Sequence, residues 1–216
     1  MSRLDLYLPS PRLREVDSVA VAASPADTYA AFRHFDASRI RWIDALFWLR
    51  EVPDRLRGRV RGEHVPIGLD AIVKGAGGFL LLEDRPEEEV VVGAVGKFWR
   101  PNMEMAKVTR DTFAAFDEPG WGKLAWSLRA EPSSDAGSLM IFELRVTATD
   151  DASWRRFTRY FSLIGPFSRA IRRSLLKNLS QELGARRMFS LQERDFRATG
   201  AGPPTGTEGR APPPPP

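Results

Sequence analysis

The chain has 216 residues, 43% of them hydrophobic, which is enough for one domain that buries roughly 70% of its unfolded surface. With no cysteine, it has no means of making a disulfide scaffold, a thiolate nucleophile, a Cys-bound zinc or an iron–sulfur cluster. The net charge of +4 is small and comes from arginines spread along the chain among acids such as Glu87, Glu88 and Glu89, so no nucleic-acid partner is expected.

Residues 1–14 mix charges, prolines and single leucines and read as a loose N-terminal arm without the apolar centre of a secretion signal. No apolar run approaches the ~20 residues of a membrane span, so a cytoplasmic protein is expected. A short strand follows at 16–21, with Val19 and Val21 on one face. Ser24, Pro25 and Asp27 then spell a helix start: serine accepts free amides, proline suits the first helical position, and the carboxylate meets the positive end of the dipole. That helix is predicted over 25–34. A second one is predicted over 37–50, with Ile40, Ile43, Leu46 and Phe47 at helical spacing, and it stops before Pro53.

Prolines and glycines break up 51–78, which reads as loop with one strand at 69–73. Strand patterns then dominate, at 79–83, 90–99, 103–107, 112–116, 123–130 and 139–149. Short turns such as Asp117-Glu118-Pro119-Gly120 join them, which implies an antiparallel meander. Leu124, Trp126 and Leu128 oppose Lys123, Ser127 and Arg129, while Met140, Phe142, Leu144 and Val146 oppose Glu143, Arg145 and Thr147. One face is expected to be covered and the other wet.

From about residue 150 to 183 the period changes to that of a helix. Stepping ~100° per residue places Arg155, Arg159, Arg169, Arg173 and Lys177 in one stripe. Phe157, Tyr160, Phe161, Ile164, Phe167, Ile171, Leu175 and Leu179 lie opposite. A helix this much longer than the usual three to four turns needs an extended partner, and the sheet supplies one. Gly165-Pro166 in its middle predicts a kink, because proline lacks the amide that would bond the Ser162 carbonyl; Ser162 is a candidate polar contact at a pocket mouth. The basic stripe reads as a solvated face or as a contact for an anionic membrane surface. Residues 198–216, ending in five prolines, have nothing apolar to bury and are expected to be disordered.

This order of elements resembles the SRPBCC superfamily, the START-like helix-grip fold of polyketide cyclases and lipid-transfer domains. The residues that carry the likeness are Thr149-Asp150-Asp151-Ala152-Ser153-Trp154-Arg155-Arg156-Phe157, then Tyr160 and Ile164-Gly165-Pro166. Bacterial members often enter their last helix through a similar Thr-Asp, Ser and Arg-Arg-Phe arrangement. A second similar piece is 113–126, with Phe116, Pro119, Gly120 and Trp126 around a hairpin. The resemblance implies an α+β fold in which a curved antiparallel sheet of about six to seven strands grips the C-terminal helix, over a domain spanning 15–197.

It further implies a cavity between sheet and helix for a hydrophobic small molecule or lipid, with no cofactor. Phe98, Met105, Trp126, Phe142, Phe161 and Ile164 offer an apolar and adaptable lining. No zinc-protease pattern, phosphate loop or hydrolase triad is present, and only His34 and His64 are available as imidazoles. Non-catalytic binding or transport is therefore the first expectation. The alternative is a cofactor-independent cyclase or dehydratase in which His64, Arg100, Asn102 or Glu104 steers protons.

Overall fold

The computed structural model describes residues 2–34, 78–100, 102–133 and 137–184, and the backbone of 193–196. The predicted helix at 37–50, the predicted strand at 69–73, His64 and the expected disorder of 198–216 lie outside the described residues. A short helix α1 (Leu4–Tyr7) precedes strand β1 (Leu13–Val21) and helix α2 (Pro25–Arg33). Then come β2 (Leu80–Arg85), β3 (Glu89–Gly96), the single-turn α3 (Arg110–Phe113), β4 (Gly122–Pro132), β5 (Ser138–Ala148), the long helix α4 (Asp151–Glu182) and β6 (Glu193–Phe196). The strands form one antiparallel sheet in the order β2-β3-β4-β5-β1-β6. The class is α+β. Among the described residues, no helix is long and apolar enough to cross a membrane.

Helix ends form where the side-chain chemistry predicts them. The Ser24 hydroxyl accepts the Asp27 amide at 3.1 Å and Pro25 opens α2. Asp150 caps α4, its two carboxylate oxygens accepting the Ser153 amide at 2.8 Å and the Gly120 amide at 2.6 Å. Gly184 follows α4 at φ +68°, a left-handed setting that glycine adopts without a Cβ clash. Pro166 does not end α4, which continues through it to Glu182.

Pairing register decides the faces. Opposite residues in an antiparallel ladder point the same way, so Val19 pairs with Met140, Trp126 with Leu144, and Val92 with Trp126 on one face. That face carries α2 and α4 and the larger core, which includes Tyr29, Phe32, Val92, Leu128, Met140, Phe142, Trp154, Phe157 and Leu179.

The opposite face is not wet. Lys123, Ser127, Glu143 and Arg145 are all buried there, beneath α1, α3 and a second core of Leu4, Tyr7, Leu8, Leu82, Val91, Val95 and Phe113. Residues 2–14 are thus a packed part of the fold rather than a loose arm. The Arg145 guanidinium holds them with one donor, at 2.7 Å from Asp5 Oδ1 and 3.0 Å from the Leu8 carbonyl. Tyr7 donates its hydroxyl to the Leu82 carbonyl at 2.8 Å.

Two predicted strands are also corrected. Residues 103–107 contribute one isolated bridge, Met105 to Gly96. Within 112–116, Thr112 and Phe113 belong to α3 instead. Thr109 and Thr112 form a reciprocal capping box that satisfies the first amides of that turn. Lys123 then reaches the carbonyls of Ala114 and Phe116, at 2.8 and 3.1 Å, just beyond its end.

Candidate functional site: the layer between the sheet and the C-terminal helix

Helix α4 lies over β1, β5 and β4. Its buried line runs through Trp154, Phe157, Phe161, Gly165, Arg172, Leu176 and Leu179. At the N-terminal end of this line the rings stack: Trp154 on Phe157 with centroids 5.5 Å apart, and Phe157 on Phe161 at 5.3 Å. On the sheet, Trp126 stacks on Phe142 at 5.5 Å with 16° between planes.

Of the residues expected to line a site here, Phe98, Phe142 and Phe161 are buried in one apolar cluster, and Met105 and Trp126 are half-buried against it. Ile164 is half-buried on α4, in the turn after Phe161. Phe98 and Met105 owe their position to a pair of glycines. Gly96 and Gly122 face each other across β3 and β4, and a Cβ at Gly96 would stand 2.8 Å from Met105 Sδ and 3.1 Å from Phe98 Cε1. Glycine there leaves the floor on which both side chains rest.

The polar candidates fall elsewhere. Arg100, Asn102 and Glu104 are exposed. Glu104 is bonded to Arg100 at 3.0 Å and to Lys97 at 2.5 Å, and the Lys97 bond holds its carboxyl below the usual range. Ser162 is exposed too, its hydroxyl donating to the Arg159 carbonyl at 2.8 Å.

The polar groups that do enter the layer are ones the sequence reading passed over. Glu15 and Asp17 sit opposite Leu144 and Phe142 in the β1–β5 ladder, so their carboxylates point at α4. Arg172 meets both, through Nη2 to Glu15 Oε2 at 2.5 Å and Nε to Asp17 Oδ2 at 2.9 Å; Nη1 donates to Ser168 Oγ at 2.9 Å. Arg169 adds a contact to the second Glu15 oxygen at 3.2 Å. Arg169 therefore belongs to this inner network and not to the solvated stripe where its wheel position suggested it lay. The Arg172 guanidinium is 5.8 Å from the centre of the Phe142 ring, so one continuous contact path runs from the buried charges through Phe142 to Trp126. A signal existed in the alternation Leu13, Glu15, Asp17, Val19, Val21, which puts two acids in the apolar register, and in the wheel position of Arg172 beside Phe161, Leu176 and Leu179.

No protein-family model matches this chain, and no curated protein does.

A mirror-image cluster lies on the other face of the sheet. The Glu143 carboxylate, with no solvent exposure, accepts Arg14 Nε at 2.8 Å, Arg145 Nε at 2.7 Å and Arg129 Nη1 at 3.1 Å. Burial pushes its proton affinity up, but the hydrogen bonds from Arg14 and Arg145 outweigh burial and hold the carboxyl below its ordinary range. Nearby, a cleft of about 180 Å³ is lined by Arg3, Arg85, Glu88, Glu89, Arg129 and Glu131. Within it Arg85 lies 2.9 Å from Glu88 and Arg129 2.8 Å from Glu131, while Glu89 accepts the Ser2 hydroxyl at 2.8 Å and the Arg3 amide at 2.9 Å. Among the described residues, no group of three or more acids or histidines is arranged to hold a metal ion.

Proposed function

We propose that this protein binds or carries a hydrophobic small molecule or lipid, without catalysis, between the sheet and α4. The observation that carries the reading is a set of half-buried apolar side chains, Met105, Leu124, Trp126, Tyr160 and Ile171, packed against the buried aromatic layer, with Ile164 half-buried in the turn after Phe161. Large apolar groups left half in water gain from a guest that covers them: each Å² removed from water is worth roughly 25 cal/mol. Met and Trp suit such positions, Met because it is adaptable and Trp because it offers a wide flat surface. The charges of Glu15, Asp17, Arg169 and Arg172 offset one another, which leaves the apolar surface, rather than any charge, to recognise the guest.

The order of elements, with one strand and a helix, then antiparallel strands and one long helix, supports the likeness to the helix-grip fold of the SRPBCC superfamily. Two features depart from the expectation: the helical turn α3 where a strand was expected, and the strand β6 after α4. The cyclase alternative draws no support from Arg100, Asn102 and Glu104, which face solvent.

The test is a titration with fluorescent fatty-acyl and aromatic probes. Ile164→Glu, which puts a carboxylate at a half-buried position outside the buried cluster, is expected to weaken uptake at least about tenfold, the loss that goes with about 1.4 kcal/mol. Leu163→Glu, one residue along on the outer side of α4, leaves uptake unchanged. Equal uptake by both variants, or none by the parent protein, contradicts the proposal.

A further inference from the structure

The outer face of α4 presents a surface that the proposed interior site does not use. Leu163 is 69% exposed and Phe167 38% exposed. Helical spacing predicts Phe167 among the covered residues, whereas the buried line runs through Phe161, Gly165 and Arg172 and leaves Leu163 and Phe167 outside. Arg155, Arg156 and Arg159 lie exposed on the N-terminal side of this pair, and Arg173 and Lys177 on the C-terminal side. Arg173 also approaches Asp17 at 3.8 Å. Arg155, Arg156, Arg159 and Lys177 form no ion pair among the described residues. From Ala152 to Gln181 the helix contains no acidic residue at all.

We infer that this face docks α4 lengthwise on an anionic lipid surface, with Leu163 and Phe167 entering the headgroup–acyl boundary and the arginines and Lys177 meeting lipid phosphates and carboxylates. Charge selects the occupant. Cations on both sides of a small apolar centre match a negatively charged plane. A second copy of the same face would bring like charges together. The apolar pair is too small to anchor by itself, so docking requires both signals and is reversible. The inference rests on the outer face and stands whether or not the interior holds a guest.

Co-sedimentation with vesicles tests it, using phosphatidylserine mixed into phosphatidylcholine against phosphatidylcholine alone. The full chain is expected to bind the anionic vesicles, to release them as salt rises, and to ignore the neutral ones. Changing Arg155, Arg156 and Arg159 together to Ser is expected to weaken binding by about a hundredfold. Leu163→Ser with Phe167→Ser is expected to weaken it about tenfold. Both variants alter exposed positions and keep the parent circular dichroism spectrum and probe uptake. Three results overturn the inference: no preference for anionic vesicles, undiminished binding by the arginine variant, or a concentration-dependent dimer, without vesicle binding, that Leu163→Ser abolishes.

Discussion

Arg172 is the residue on which the placement of α4 depends most. Its guanidinium uses all three nitrogens, on Glu15, Asp17 and Ser168, and removing it leaves two carboxylates buried against an apolar layer. Breaking a buried pair from one side typically costs about 3–5 kcal/mol, so Arg172→Ala is expected to lower stability to urea by that order. Arg172→Lys restores little, because a single ammonium does not reproduce the fork; full recovery by Lys would show that charge alone matters. Acid acts on two other carboxyls. The amides of Ser153 and Gly120 hold Asp150 down at about 2, and hydrogen bonds from Arg14 and Arg145 outweigh burial at Glu143. Both bind protons less readily folded than unfolded, so their contribution is complete above the unfolded value of about 4 and fades as pH falls through it toward the folded values. Asp150→Ala is expected to cost about 1 kcal/mol at neutral pH and to flatten the decline in melting temperature between about pH 4 and pH 2. An unchanged acid limb in this variant would remove Asp150 from that account.

Among the elements, α1 departs most from its reading. Leu4, Tyr7 and Leu8 are all buried, at a spacing of three and four residues that is itself a helical apolar stripe. Leu4→Ala is expected to cost about 2–5 kcal/mol in a thermal or urea melt, whereas a loose arm would register within about 0.5 kcal/mol. The strands from Leu80 to Ala148 and the course of α4 were legible in advance because their apolar runs, alternation and 3.6-residue spacing mark which residues are apolar along each element. The buried polar face was not legible. Lys123, Glu143 and Arg145 alternate as a wet face would, and their partners come from elsewhere in the chain: the carbonyls near α3 for Lys123, Asp5 and Leu8 for Arg145, and Arg14 and Arg129 for Glu143. Alternation reports polarity and not coverage. The turn α3 was missed for a local reason, since Thr109 and Thr112 make a capping box from residues that also favour strands. At the site, the aromatic members were readable from the same alternation. Glu15, Asp17 and Arg172 left only the signal of charges in apolar registers, which gains its meaning once strand and helix are placed face to face.

Among the described residues, one antiparallel sheet is covered on both faces, with a charge-balanced network pinning α4 over β1 and β5 and an apolar border beside it. Arg155, Arg156, Arg159, Arg173 and Lys177 of α4 are exposed together with Leu163 and Phe167, while Arg169 and Arg172 and the rings of Trp154, Phe157 and Phe161 face the sheet. The proposed carriage of a hydrophobic guest and the proposed contact with a lipid surface are compatible in a single helix, since each would use a different side of it. Native mass spectrometry of the purified full chain tests the central claim most directly. A mass above that of the bare chain is expected, shed on denaturation, restored by incubation with fatty-acyl or aromatic compounds and absent from Ile164→Glu. Bare mass in every preparation, before and after such incubation, would contradict it.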